Sequence, residues 1–350
     1  MSEKVGVGIV GYGFASSTFH APIIEAVPHL QLNKIVQRNS NSANERYPEI
    51  EVVKDVDALY RDDAIDLVIV TTPSTNHVQF VRDALLAGKH VVVEKPFTTT
   101  FEEADKLIEL AKKQGKVLSV FHNRRWDGDF RTLCKLVDSG TLGEVKEAIF
   151  RWDRYIPEAD PEKWRDSNVL GSGVLYDLGV HFLDQALCLF GKPATIRAEV
   201  RTLRTSGKGD DYFDVTLGYQ SGLSVNLQSS VLAREPGPRY VVHGTYGSFV
   251  KYGEDPQEEA LKAGGTPVDP DWGKESPERW GELNTTMNGL HLSGKVETVA
   301  GAYQAYYQNI YETITGCADL DVKPEEAAMA IRLIELAHKS NREGRTIEVE

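Results

Sequence analysis

Apolar residues in the first third of the chain fall in short unbroken runs at 5–10, 32–36, 66–70, 91–93 and 117–121, with a shorter Val52-Val53. Such runs, rich in Val and Ile, mark strands buried on both faces. Between them, 17–26, 78–87 and 101–113 carry apolar residues at helical spacing, the first interrupted early by Pro22. Strands alternating with helices of this length predict a doubly wound parallel sheet over residues 1–125. From residue 126 the pattern changes. Segments 145–155, 196–202, 212–219, 224–230, 240–243 and 247–252 read as strands, mostly with a period of two, joined by Gly, Ser and Pro. They predict a second domain, 126–350, of α+β type with an open, mostly antiparallel sheet. A helix over 176–190 is apolar on most of its circumference and is expected to be buried. Helices over 299–315, with four tyrosines at helical spacing, and over 324–342, before Gly344 and a short terminal strand, complete the domain. Residues 253–294, rich in Gly, Pro, Asp and Glu, show no period and predict a long irregular segment, an interface arm or a lid.

The chemistry-bearing residues gather after the strands of the parallel sheet, where open α/β sheets hold their ligands. The first strand runs into Gly11-Tyr12-Gly13-Phe14-Ala15-Ser16 and then a helix. Gly11 permits the tight turn, Gly13 lets a pyrophosphate approach the backbone, and the helix start offers free N–H groups. Ser16 stands where the fingerprint has its third glycine. The second strand ends in Gln37-Arg38-Asn39-Ser40, with no carboxylate where an NAD enzyme offers one to the ribose. Arg38 beside Ser40 suits a 2′-phosphate instead, so NADP(H) is expected over NAD(H). Thr72, Pro73 and His77 sit in a further turn facing the cofactor; His77 either bonds the cofactor or caps its own loop. The run Val91-Val92-Val93 then delivers Glu94, Lys95 and Pro96 at a strand's carboxyl end.

Composition narrows the partners. Of 350 residues, 39 are basic and 52 acidic, a formal charge of −13 that repels a phosphate backbone, so no nucleic-acid partner is expected. No apolar run reaches the ~18 residues of a membrane span, and the N-terminal stretch has no signal-peptide pattern, so the expectation is a cytoplasmic protein without a membrane partner. Three cysteines, Cys134, Cys188 and Cys317, are too few and too scattered for a disulfide framework or a zinc site, and no metal is expected.

With GYGFAS, TTPSTNH, VVVEKPF and LYDLGVHFLDQ, the chain resembles the Gfo/Idh/MocA oxidoreductases essentially end to end. Within that group HNRRWD (122–127) and DPQEEALKAG (255–264) resemble NADP-dependent scyllo-inositol dehydrogenases and related sugar reductases. The resemblance implies a polyol or sugar substrate and a catalytic Lys95. It also implies Glu94 on the nicotinamide ribose, a cis bond before Pro96, and Trp164 and Arg165 against the nicotinamide. Arg124, Arg125 and Trp126, where the second domain begins, are read as substrate-holding residues; an ion-pair cluster locking the fold is the alternative. On the 176–190 helix, Asp177, His181 and Asp184 share one stripe. Ionisable groups on a buried helix demand partners, and with the family motif they read as a cleft-facing set. His181 is then the acid/base, Asp177 positions the substrate hydroxyl or the imidazole, and Lys95 polarises the reacting oxygen. The open sheet suggests a homodimer or homotetramer. The rival expectation is a non-catalytic NAD(P)-binding regulator of the same fold.

Overall fold

The computed structural model describes residues 4–160 and 163–350. The chain forms two compact units. The first holds a six-stranded, wholly parallel sheet in the order β3-β2-β1-β4-β5-β6. These strands are β1 (Val5–Val10), β2 (Leu30–Val36), β3 (Glu51–Val53), β4 (Leu67–Val70), β5 (His90–Val93) and β6 (Leu118–Val120). The strand order reverses at β1, which pairs with β2 on one side and β4 on the other, so a crevice opens at their carboxyl ends. The helix Phe101–Gln114 shows how locally consistent this half is. Thr100 accepts from the Glu103 N–H, Glu103 returns a bond to Thr100 N, and Gly115 ends the helix in the left-handed region at φ 63°.

A single cut after residue 125 does not describe the chain, because 256–273 and 302–328 also belong to the first unit. The cause is aromatic. Tyr303, Tyr306, Tyr307, Ile310 and Tyr311, from the helix Gln304–Ile314 and its N-cap, share one core cluster with Val5, Val7, Ile9, Phe19, Ile23, Leu261 and Trp272. Burying each such ring contributes on the order of 2 kcal/mol.

The second unit is organised on a nine-stranded sheet in the order β14-β13-β12-β11-β7-β10-β9-β8-β15. Its strands are β7 (Val145–Arg151), β8 (Thr195–Arg201), β9 (Tyr212–Gly218), β10 (Ser224–Ser230), β11 (Tyr240–Gly244), β12 (Gly247–Lys251), β13 (Gly281–Met287), β14 (Leu290–Val296) and β15 (Ile347–Glu348). Neighbours run antiparallel except β7 with β10. Phe213, Val215, Leu217, Val225 and Leu227 are buried on one face, and Phe182 of the helix Val180–Phe190 packs its ring 5.8 Å from Phe150 of β7.

The segment 253–294 departs from the irregular stretch expected of it. It holds the helix Gln257–Lys262 and most of a hairpin, β13–β14, that extends the sheet. The strands hid because β14 is exposed along nearly its whole length, leaving no alternation to read. The signal was in the turn: Asn288-Gly289, at φ 52° and 77°, is the pair that two-residue hairpin turns favour. The strand expected over 145–155 ends at Arg151, leaving only a bridge from Tyr155 to Leu232. Among the described residues no helix is long and apolar enough to cross a membrane, and no cluster of His, Cys, Asp and Glu could hold a metal ion.

Candidate active site

The turn after β1 is built to admit a phosphate. Gly11 has φ 101°, a conformation L side chains rarely adopt, and its N–H donates to the Val36 carbonyl (3.1 Å). A Cβ added at Gly13 would meet nothing within 4 Å, so the backbone there is open. Ser16, in place of a third glycine, is buried and ties the turn to its neighbour strand. Its hydroxyl donates to the Gly11 carbonyl (2.8 Å) and shares a hydrogen bond with Thr71 Oγ1 (2.6 Å). The chain then enters one π-helical turn, Ser16–His20, before the short helix Ala21–Glu25.

A cavity of about 730 Å³ opens at this turn and is lined by Gly11, Gly13, Arg38, Ser40, Thr72 and Pro73 among others. Six of the residues expected to bind a dinucleotide therefore share one wall. An open glycine, a guanidinium, hydroxyls and a volume of this size fit a nicotinamide dinucleotide. Phe14 and Ala15 do not line it; Phe14 is exposed, with its ring edge-on to Phe19 at 5.9 Å. Lys54, just past β3, does line it and was not anticipated. Its ammonium donates to Gln37 O (3.0 Å), Ser40 O (2.7 Å) and Asn41 Oδ1 (2.5 Å), holding the loop that carries Arg38 and Ser40. Strand order, which makes β3 the neighbour of β2, was the missing information.

His77 is a fastener. It is buried, with Nε2 2.9 Å from Thr72 O and Nδ1 3.0 Å from Pro96 O, and the neutral ring donates its single N–H to one of these carbonyls, in the loop after β4 or the loop after β5. Both ring nitrogens face backbone carbonyls of the chain. Burial pushes its pKa down, against the pull of those carbonyls and of Glu94.

Glu94 N donates to Val70 O (2.9 Å), and the Lys95–Pro96 peptide is cis. The Glu94 carboxylate, 12% exposed, lies 2.8 Å from His20 Nε2 and accepts the Lys95 backbone N–H (2.9 Å). Burial pushes this carboxyl up; the His20 hydrogen bond and the charges of His20, Lys95 and His77 outweigh it and hold the group below the ordinary glutamate range.

Arg124 and Arg125, expected to hold a substrate, both meet protein partners. Arg124 donates to Tyr303 OH (2.9 Å) and pairs with Glu258; Arg125 donates to Asp321 O (2.9 Å) and Glu326 (2.8 Å). Trp126 packs edge-on to Tyr306 at 5.5 Å. All three bind the returning segments of the first unit, and a polyol would have to displace these partners. Glu258 is held down to about 2, burial raising it and Arg124 and Lys262 lowering it more.

In the second unit, Asp177 lies on a π-helical turn, Leu175–Gly179, that leads directly into Val180–Phe190. Such turns recur at functional sites. Asp177, His181 and Asp184 are all buried. Asp177 Oδ2 is 3.1 Å from Arg165 Nε, and the His181 ring packs 6.1 Å from Trp152. Trp164 is 46% exposed beside Arg165. Arg165 and Asp177 line a cavity of about 220 Å³ together with Arg204 and Asp210.

Asp210 fixes the entry to the π-helical turn Leu175–Gly179 and the helix Val180–Phe190. Its Oδ2 accepts the Leu175 N–H (2.8 Å) and its carbonyl accepts the Val174 N–H (2.8 Å). Burial raises its pKa from 3.8 to about 6, against the pull of the Leu175 N–H. A carboxyl raised in the folded state contributes stability below its unfolded pKa, and that contribution is lost as pH rises through about 6. The loss by pH 8 is on the order of 3 kcal/mol. Asp210→Asn, which keeps an acceptor for Leu175, should therefore melt above the parent at pH 8, with the gap closing near pH 4. An equal gap in thermal midpoint at both pH values would contradict this.

The first unit is a dinucleotide-binding Rossmann domain and the second a buried acid and imidazole on a helix over an open sheet, the plan of a nicotinamide-dependent oxidoreductase. The chain belongs to the Gfo/Idh/MocA oxidoreductase family. Residues 5–122 match the family's NAD-binding Rossmann fold, and 134–349 match its C-terminal alpha/beta domain. It is 41% identical over 348 residues to the scyllo-inositol 2-dehydrogenase (NADP(+)) IolW of Bacillus subtilis, covering 99% of this chain and 97% of that one. It is also 41% identical over 347 residues to the oxidoreductase YdgJ of Escherichia coli, covering 99% of each. The solved structure of the Bacillus subtilis oxidoreductase yvaA superposes with a TM-score of 0.96 at 41% identity, over 100% of this chain and 99% of that one.

Proposed function

We propose that the protein is a cytoplasmic, NADP(H)-dependent dehydrogenase that interconverts a ring hydroxyl of scyllo-inositol, or a closely similar cyclic polyol or sugar, with the ketone. The observation that carries this reading is the end-to-end likeness to an NADP-dependent scyllo-inositol dehydrogenase. Arg38 and Ser40 on the cavity wall, beyond a strand whose end lacks a carboxylate, support the choice of NADP over NAD. The cavity's acid, Asp55, is turned to its own chain, accepting the Asp57 N–H at 3.0 Å.

A bound nicotinamide would supply the hydride exchange at the ring carbon, while this chain's own residues handle the hydroxyl proton. Lys95 stabilises charge developing on the reacting oxygen. His181 takes the hydroxyl proton in oxidation and returns it in reduction. Asp177, an acceptor held by Arg165, takes a hydrogen bond from a substrate hydroxyl and so fixes which carbon is presented. Glu94 contacts the nicotinamide ribose, and Trp164 with Arg165 covers the nicotinamide. We also read a homodimer or homotetramer; a single species of one chain's mass in sedimentation excludes it.

The test is absorbance of the reduced nicotinamide with NADP⁺ against a panel of inositols and sugars. Turnover on scyllo-inositol, with NADP⁺ favoured over NAD⁺, is the expected result. Tight NADP⁺ binding without turnover on any polyol, and with no reduction of any ketose, would favour a regulator over a dehydrogenase.

A further inference from the structure

At the Glu94-Lys95 turn, the first unit contains a row of buried and part-buried hydrogen bonds whose outer members, His20 and Tyr307, have no role in the proposed reaction. Tyr307 OH lies 2.5 Å from His20 Nδ1, His20 Nε2 lies 2.8 Å from Glu94 Oε1, and Glu94 Oε2 accepts the Lys95 N–H at 2.9 Å. Three separate elements supply it: the turn after β1, the turn after β5, and the returning helix Gln304–Ile314. His20 and Tyr307 are fully buried. The imidazole is held in place by Phe121, ring to ring at 4.3 Å, and Phe121 is itself packed against Tyr306 and Tyr307.

The direction of each bond follows from what the atoms can do. An ionised carboxylate only accepts, so His20 Nε2 must carry its proton. In the neutral ring Nδ1 is then an acceptor and takes the phenolic hydrogen of Tyr307, whereas in the protonated ring Nδ1 donates to the phenolic oxygen; the bond to Glu94 is the same in both. Burial pushes the Tyr307 phenol well above its ordinary range, with Tyr306 and Glu94 adding to the rise, so it keeps its proton at any working pH. In either state the His20 Nε2 hydrogen and the Lys95 amide hydrogen both point at the Glu94 carboxylate. Rows of this kind polarise in one sense and strengthen the terminal bond.

We propose that His20, backed by Tyr307, is a positioning residue that keeps the Glu94 carboxylate charged and in one orientation beside Lys95. Each carboxylate oxygen has capacity for a further donor beyond the row, and it is there that a cofactor hydroxyl is received. This last step rests on the proposed dehydrogenase reading; the row itself does not. The charged and titratable groups acting on Glu94 are His20, Lys95 and His77, with Tyr307 reaching it through His20.

Removing the donor leaves a largely buried carboxylate short of one charge-assisted bond, which raises its pKa by about one unit or more. His20→Leu removes the bond, His20→Gln retains an amide N–H that can donate to Glu94, and Tyr307→Phe removes only the outer donor. The primary readout needs no turnover. In protein labelled with ¹³C at glutamate side-chain carboxyls, the Glu94 signal is assigned by its loss in Glu94→Gln and followed against pH. The parent signal should be flat above pH ~5. In His20→Leu the midpoint should rise by about one unit or more, in His20→Gln by less, and in Tyr307→Phe by a smaller step in the same direction. The second readout is kcat against pH with NADP⁺ and scyllo-inositol. His20→Leu should gain an acid limb at the midpoint seen by NMR and recover towards parental turnover on the alkaline side.

An unmoved Glu94 midpoint, or activity lowered by one factor at every pH, would overturn the proposal. A moved midpoint in protein that turns over no polyol even in parental form would uphold the row and overturn the dehydrogenase reading. Should His20→Leu fail to fold, Tyr307→Phe, which preserves the ring, carries the same test.

Discussion

Lys95→Met should lower kcat on scyllo-inositol by about 10³-fold or more, while NADPH affinity stays within a few-fold of the parent. Methionine nearly matches the length of the lysine stem and removes only the charge. The dinucleotide keeps its anchors, because Gly11, Gly13, Arg38 and Ser40 line a cavity whose wall does not include Lys95. An interaction made chiefly in the transition state appears in kcat and kcat/KM together, with cofactor binding untouched. Fluorescence titration with NADPH and initial rates on one preparation separate the two effects. Parental turnover in the variant would remove Lys95 from the mechanism, and a parallel collapse of NADPH binding would make it a cofactor anchor.

Arg38→Ala should weaken NADP⁺ binding ~10–100-fold, the effect of losing charge-assisted hydrogen bonds to a phosphate of about 1.5–3 kcal/mol. NAD⁺ lacks the 2′-phosphate, so its affinity should change by less than about 3-fold. The comparison is internal to the variant and does not depend on the substrate. Equal losses for both cofactors would show that Arg38 shapes its loop, the work that Lys54 performs from β3 through three bonds to Gln37, Ser40 and Asn41.

The parallel sheet was legible because its strands are buried on both faces, so its pattern is unbroken Val and Ile with glycines and chemistry at the ends. The wall of the cavity at its carboxyl edge followed from it. Gly11, Gly13, Arg38, Ser40, Thr72 and Pro73 meet there because consecutive strands of a doubly wound sheet end at the same edge. What could not be read were choices between partners of equal chemical merit. A histidine at a helix start can face a cofactor or the backbone, and both nitrogens of His77 face backbone carbonyls. Two adjacent arginines can hold a polyol or tie a returning chain, and Arg124 and Arg125 tie the chain because Glu258, Asp321 and Glu326 come back to meet them. That return, over 256–273 and 302–328, involves contacts far apart along the chain, to which local periodicity is blind. His20 illustrates the same limit: nothing within several residues of it foretells Glu94 or Tyr307. The β13–β14 hairpin was readable, but only from Asn288-Gly289, since its exposed strands carry no apolar stripe.

In the proposed dehydrogenase, the Lys95 ammonium and the His181 imidazole serve one reaction on one substrate oxygen. A cycle of Lys95→Met, His181→Asn and the double variant, assayed for kcat with NADP⁺ and scyllo-inositol, tests it most directly. Groups that act as a unit are strongly non-additive, so the double variant should be no more than a few-fold slower than the slower single variant. A double variant slowed by the product of the two single effects, or a His181→Asn enzyme with parental turnover, would contradict the account.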